Sequence, residues 1–358
     1  MRATGEYVFA QYNVERLTTE KVQRRGTDQA EAAAEMVQRL PRPDVLLVNE
    51  MDDNFVQGWE RRHNAAAFLE NYLGVAQAPD LTGVDFEAWY APRCNTGIPS
   101  GMDVGKDGVG VEPGTDAYAR DCFSYAPYPG RYGMALYSAH PIDTAGIRTF
   151  REFRWVDLPG HRIPTDPDRD LYLTAAERER FRLPAKTVAD VPVELPDGTV
   201  HAVVAHPSPP LADDMATLNA PRCHDEIRFL GDYVAGADYP VDDDGVPGGL
   251  PADERFVVLG DLNAEPGEAV TDDAVTRHLL DRPRVTATTP SSPGGSERGV
   301  AHATGDLSRG PTRADYVLPS TDFTVRASGV AWPAGDEPSR AAAERASDHF
   351  PVWVAVSG

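Results

Sequence analysis

Lysine is almost missing from this chain. Among 358 residues it occurs only at Lys21, Lys106 and Lys186, and arginine supplies the rest of the positive charge. With 34 basic against 56 acidic side chains the net charge is −22 and the isoelectric point is about 4.7. A surface of that sign repels polyphosphate backbones unless bound cations or a local basic groove compensate. No strong nucleic-acid affinity is expected, and the bias fits a salt-adapted or a GC-rich source equally. Cysteine is scarce as well: Cys94, Cys122 and Cys223 match no zinc-ligand spacing. Their odd number leaves open whether Cys94 pairs with Cys122. No run of about 18 apolar residues occurs, so no transmembrane helix is expected. The opening stretch MRATGEYVFAQYNV enters a strand-like pattern at once, without a signal-peptide apolar core. Export and a cytoplasmic location both stay open.

What is present is ordinary globular material, 41% hydrophobic, enough to bury a sizeable core. No internal repeat, heptad or linker interrupts it, which predicts one domain over 1–358 and a monomer. Strand-like runs fall at 6–12 (EYVFAQY), 44–50 (DVLLVNE), 132–138 (YGMALYS), 313–320 (RADYVLPS) and 346–356 (ASDHFPVWVAV). A hairpin is predicted over 191–206, with Asp197-Gly198 as its turn. Helices are expected at 28–40, opened by a capping box of Asp28 and Glu31, at 63–73, capped by Gly74, and at 224–234, with His224 and Asp225 at its start. Two stretches, about 75–130 and 148–186, hold no period of 2 or 3.6 and read as insertions between core elements.

The informative feature is where the polar residues fall. Strand-like runs end at Asn13, at Glu50, at His206, and at Asp261 with Asn263 in RFVVLGDLNAEPGE. Asp315 begins another run, and Asp348-His349 precede the last one. Functional groups of layered α/β proteins gather in loops at one rim of the sheet. On a common rim these ends would assemble four carboxylates, two carboxamides and two histidines. Oxygen donors without cysteine suit a hard divalent cation, with Mg²⁺ first and Mn²⁺ or Ca²⁺ as alternatives. Nearby acids should raise the pKa of both histidines, so that one is protonated near neutral pH.

In order, YNVERL, DVLLVNE, YGMALYSAHPI, VVAHPSPP, VVLGDLNAEP, RADYVLPS and SDHFPV resemble the endonuclease/exonuclease/phosphatase superfamily. The strings NTGIPSG, HPSPP and HDEIRF point to a long bacterial branch of it. The resemblance implies an α/β (α+β) four-layer sandwich, in which two mainly antiparallel sheets pack face to face between helices. It also implies roles. Glu50, Asn13 and Asp348 would hold metal, and Asp261 would orient or deprotonate the attacking water. Asn263 would hold a phosphate oxygen or a second metal, His206 would contact the phosphate, and His349, set by Asp315, would act as acid or base. Asn49, in VNE where LQE is commoner, and Asn95, in NTGIPSG, become substrate-binding candidates. Glu15 is a possible further ligand, and Arg93, Arg120 and Arg131 either grip phosphate or offset the acidic surface. The function implied is a divalent-metal-dependent phosphoesterase acting on a small phosphodiester or phosphomonoester by in-line attack of water. The alternatives are a nuclease using the same site and a non-catalytic binding module.

Overall fold

The computed structural model describes residues 5–56, 58, 62–210 and 215–358. Thirteen strands are distinguished among them: β1 (Glu6–Leu17), β2 (Val45–Met51), β3 (Ala88–Tyr90), β4 (Met134–Ser138), β5 (Arg148–Thr149), β6 (Val188–Leu195), β7 (Gly198–Ala205), β8 (Phe256–Asp261), β9 (Gly305–Leu307), β10 (Gly310–Thr312), β11 (Asp315–Pro319), β12 (Thr324–Val330) and β13 (Val352–Ser357). One sheet has the order β12-β13-β1-β2-β4-β3 and the other β11-β8-β7-β6-β5, with β9 and β10 forming a separate small ribbon. Each large sheet contains one parallel pair, β1 with β2 and β7 with β8, and is otherwise antiparallel.

Alternation along the strands separates the layers. Ala202 and Val204 of β7, Val257 and Leu259 of β8 and Val317 of β11 pack into the same apolar cluster as Phe9, Leu47 and Val354 of the first sheet. Their alternates Val203, Ala205, Phe256, Val258, Tyr316 and Leu318 pack instead with Cys223, Ile227, Leu230 and Val234 of the helix Ala216–Val234. Side chains pointing to opposite faces of a strand thus feed two cores. The helices Asp28–Gln38 and Arg340–Ala346 contribute Ala33, Met36, Val37 and Ala343 to the first of these. This is the expected sandwich of two sheets flanked by helices.

Local expectations shift in instructive ways. β1 does not stop at Asn13 but runs to Leu17 through a register shift, with Glu15 and Arg16 at φ 43° and 58°. The hairpin pairs Leu195 with Gly198, so Pro196-Asp197 form the turn and Gly198 (φ 126°) follows it. The helix expected from 28 is capped by Thr27 without a side-chain cap bond, because the Thr27 hydroxyl turns to Lys21 O and Tyr72 instead. Gly74 closes its helix with φ −79°, outside the left-handed region. The helix expected from 224 begins at Ala216 and carries Pro221 inside, so His224 and Asp225 lie in mid-helix. Asp225 there accepts bonds from Trp155 Nε1 and Arg162 N, both at 2.6 Å. All three cysteines are buried free thiols. The insertions are ordered: Met102, Phe123, Phe153, Trp155 and Phe181 fill the second core.

One close approach links this packing to the site. A Cβ built on Gly260 of β8 would meet the carbonyl oxygen of Ala205 on β7 at 2.2 Å. The next residue is Asp261. Gly260→Ala should therefore push the two strands apart and destabilise the protein by about 1–3 kcal/mol. Urea denaturation measures this, and an unchanged midpoint would contradict the packing described.

Candidate active site

Five strand ends and the register shift inside β1 converge at one rim. Asp261 ends β8 directly opposite Asp315, the first residue of β11. Asn13 and Glu50 come from the neighbouring parallel strands β1 and β2, while His206 follows β7 and His349 precedes β13. Ser347 ties the last segment down by donating to Asn13 O at 2.8 Å and accepting from His349 N at 3.0 Å.

Asp261 is the hub. Its Oδ2 accepts from Asn13 Nδ2 at 2.9 Å and lies 3.4 Å from His206 Nε2 and 3.8 Å from His349 Nε2. Its Oδ1 accepts from the backbone N–H of Asn263 at 2.9 Å. Burial pushes the Asp261 carboxyl up to about 6, with Asp315 adding to the rise while His349 and the two hydrogen bonds oppose it. His349 Nδ1 meets Asp315 Oδ2 at 2.8 Å, and Asp315 is held in turn by the Thr304 hydroxyl at 2.6 Å. Burial works against a charge on His349, but Asp315 and Asp261 outweigh it and hold its pKa well above the ordinary value.

His206 corrects the expectation that both rings are raised. It is 2% exposed; burial, together with the positive charge of Lys186 and His349, drives its pKa well below the usual value. Its Nδ1 has no hydrogen-bond partner among the described residues. The two rings are therefore shifted in opposite directions, His206 toward the neutral form and His349 toward the charged one.

The rim opens into a cavity of about 590 Å³ lined by Glu15, Glu50, Lys186, Ser208, Asp348 and His349, among others. Glu50 (φ 64°), Tyr132 (φ 58°) and Asn263 (φ 53°) all adopt left-handed backbone here, a strain that clusters at functional sites. Glu50 accepts from Asn13 Nδ2 at 3.3 Å and from Arg16 N at 3.2 Å. Asp348 Oδ1 is buried without a hydrogen bond among the described residues. That oxygen lies 3.9 Å from His349 Nε2, and with the Glu50 carboxylate on the same cavity it makes a donor set that fits a hard divalent cation. Asp261, Asp315 and His349 also offer atoms within 4.8 Å of one another, and His349 Nδ1 is already paired with Asp315 Oδ2 at 2.8 Å.

Of the predicted residues Glu50, Asp348 and His349 line the cavity, Asn13, His206, Asn263 and Asp315 gather around Asp261 without lining it, and Asn49 and Asn95 are bonded into other parts of the structure. Asn49 is fully buried and accepts from Gln11 Nε2 at 2.8 Å. Asn95 is fully buried and donates to Arg151 O and Pro184 O while accepting from Arg182 Nη1 at 2.7 Å. NTGIPSG is thus held through its asparagine as a structural turn. Glu15 and Arg120 do line the cavity, whereas Arg131 lies 3.5 Å from Asp52 and Arg93 is exposed beside Tyr90 and Asp243.

Lys186 is the residue the motifs miss. It is 5% exposed on the cavity wall, and its one hydrogen bond among the described residues runs to Pro207 O at 3.4 Å. Asn263 Nδ2 donates to the same carbonyl at 3.2 Å. Burial lowers the Lys186 pKa, and Glu50, Glu226 and Asp261 pull it back up. Its rarity in the composition is the only sequence signal for it.

A family model described as "Endonuclease/Exonuclease/phosphatase family" matches residues 10–349. A solved endonuclease/exonuclease/phosphatase from Beutenbergia cavernae is similar with a TM-score of 0.52 at 16% identity, over 98% of this chain and 71% of that one. A family protein from Leptotrichia buccalis is similar with a TM-score of 0.50 at 13% identity, over 97% and 98% of the two chains. No curated protein matches the sequence.

The His349–Asp315 pair makes a titration prediction. A raised folded-state pKa contributes stability that is complete below about 6.5 and is lost as pH rises through the folded value. In metal-free protein that loss should come at lower pH in Asp315→Asn than in wild type. Histidine NMR titration reads the shift directly, and an unchanged His349 midpoint in D315N would contradict the pairing.

Proposed function

The chain belongs to the endonuclease/exonuclease/phosphatase family, and on that premise we propose that it is a divalent-metal-dependent phosphoesterase hydrolysing a small phosphodiester or phosphomonoester. The observation that carries this reading is the convergence of Asn13, His206 and His349 on one buried carboxylate, Asp261, with Asp315 bonded behind His349. Asp261, pushed up to about 6 by burial, is a better proton acceptor than an exposed aspartate. His349 already holds its proton and serves as a donor to charge developing on the phosphoryl group. Asp261 is therefore the base that takes the proton of the attacking water, with His349 in the acid role. Asn13 donates to Oδ2 and fixes the carboxylate.

Glu50, Asp348 and Asn13 would hold the cation. When bound, it supplies Lewis-acid polarisation of a phosphoryl oxygen and neutralises the acids. Lys186 and Asn263, joined at the Pro207 carbonyl, present their remaining N–H groups as ligands for a non-bridging oxygen. Neutral His206 donates or accepts beside Asp261 without adding charge.

A small substrate is supported by the wall from the first insertion. Asp116, Arg120, Ser124 and Tyr125 line the same cavity as Glu50. That wall is stapled by Asp121, which is buried and accepts from Val104 N, Gly105 N and Gly110 N at 2.7–2.9 Å. The net charge of −22 opposes a polyphosphate partner in the same direction.

The test is a screen of Mg²⁺, Mn²⁺ and Ca²⁺ against bis-p-nitrophenyl phosphate, p-nitrophenyl phosphate, nucleic acids and phospholipid headgroups. Glu50→Ala and His206→Ala should each lower metal-dependent hydrolysis by about 10²-fold or more with the fold retained. Unchanged rates would sink the assignment, and preferential cleavage of DNA or RNA would move it to a nuclease.

A further inference from the structure

The string HDEIRF takes no part in the chemistry above, yet it lies on the 19-residue helix Ala216–Val234 behind the site. On that helix Arg222 and Glu226 are one turn apart, 2% and 3% exposed. Among the described residues neither makes an ion pair within 4.0 Å. Both turn instead to backbone that leads into the cavity. Arg222 donates from Nε to Leu183 O at 2.8 Å and from Nη2 to Arg182 O and Pro184 O, both at 3.1 Å. Glu226 accepts from Ala185 N at 2.5 Å with one oxygen and from Ser208 N at 2.7 Å with the other.

The four bonds to 182–185 end immediately before Lys186. The fifth holds the loop after His206, where Pro207, Pro209 and Pro210 have no backbone N–H and Ser208 offers the single donor of residues 207–210. Ser208 Oγ is itself buried on the cavity wall with no hydrogen-bond partner among the described residues. Burying two opposite charges is costly unless they are fully hydrogen-bonded, so a helix that keeps both at this place is holding something that an apolar pair could not.

We propose that Arg222 and Glu226 form a positioning brace, which sets Lys186 and the His206–Ser208 loop against the phosphoryl group of the substrate. Neither residue touches substrate; both act through the segments they grip. The proposal rests on reading the cavity as a phosphoester site.

The experiment is a double-mutant cycle on the full chain, read by calorimetric binding of inorganic phosphate with Mg²⁺ present and by kcat and KM for bis-p-nitrophenyl phosphate. Glu226→Gln keeps one acceptor and loses the fork. It should weaken phosphate binding about 10-fold, the size of a small misplacement, while Mg²⁺ affinity measured alone stays within about twofold. Lys186→Met should weaken phosphate binding at least as much. Because the brace also holds the His206–Ser208 loop, the two changes overlap only in part: E226Q/K186M binds phosphate more weakly than K186M, but by clearly less than the product of the two single effects. Should E226Q fail to fold, Arg222→Lys, which keeps the charge and loses the spread of donors, enters the same cycle. Wild-type phosphate affinity in E226Q, effects that multiply in the double variant, or no phosphate binding by wild type would each overturn the brace. Phosphate binding with a non-additive cycle but no hydrolysis of any ester would support the brace and defeat the enzymatic reading.

Discussion

Everything at the site follows from burying one carboxylate where two sheets meet. Asp261 cannot sit at 1% exposure unless its oxygens are satisfied. Asn13 from the other sheet, Asn263 from its own turn, and the rings of His206 and His349 supply that satisfaction. The requirement explains the rest. Gly260 must be glycine because β8 comes so close to β7 just before Asp261. Asp315 must face it across β11 because an imidazolium at His349 needs a second carboxylate to stand burial. The same low-dielectric setting that makes the hub expensive to assemble lifts Asp261 toward neutrality and keeps His349 charged.

Around the hub, positions are fixed by bonds to backbone. Ser347 anchors the His349 segment to β1, Thr304 anchors Asp315, and Glu226 anchors the chain on both sides of Lys186 and His206. These residues come from a loop, a connection and a helix with no chemistry of their own. Groups held in this way do not need to reorganise when charge develops on the substrate, which is where electrostatic catalysis gains most. Left-handed backbone at Glu15, Arg16, Glu50, Tyr132 and Asn263 shows that the rim bends to deliver side chains inward. Surrounding packing must compensate for this strain.

The hub was legible in the sequence because strands announce themselves. Apolar runs in β2, β8 and β13 locate the rim, and the polar residues that break them, Glu50, Asp261 and Asp348-His349, stand out as candidate site residues. The paired sheets were what the family resemblance implied. What could not be read is what irregular chain does. The 75–130 and 148–186 stretches carry no period because their apolar residues pack into a core built with distant strands, and the wall they form depends on three backbone bonds to Asp121. Asn49 and Asn95 were misleading for a related reason: a polar residue near a site is as useful for joining backbone segments as for meeting substrate. Lys186 lacked any motif, and Glu226 lies in HDEIRF without a role readable there, since both make contacts more than 15 residues away in the chain. The start of the helix that carries Glu226 was hidden by Pro221, which is tolerated inside it.

The central claim is that water, activated at Asp261, displaces the leaving group from phosphorus in one in-line step. The stereochemical course tests it most directly: a phosphorothioate diester of known configuration, hydrolysed in ¹⁸O-water and analysed for the product's chirality. Inversion at phosphorus with one ¹⁸O in the phosphoryl product and none in the released alcohol is the predicted result. Retention of configuration, or ¹⁸O in the alcohol, would contradict the account.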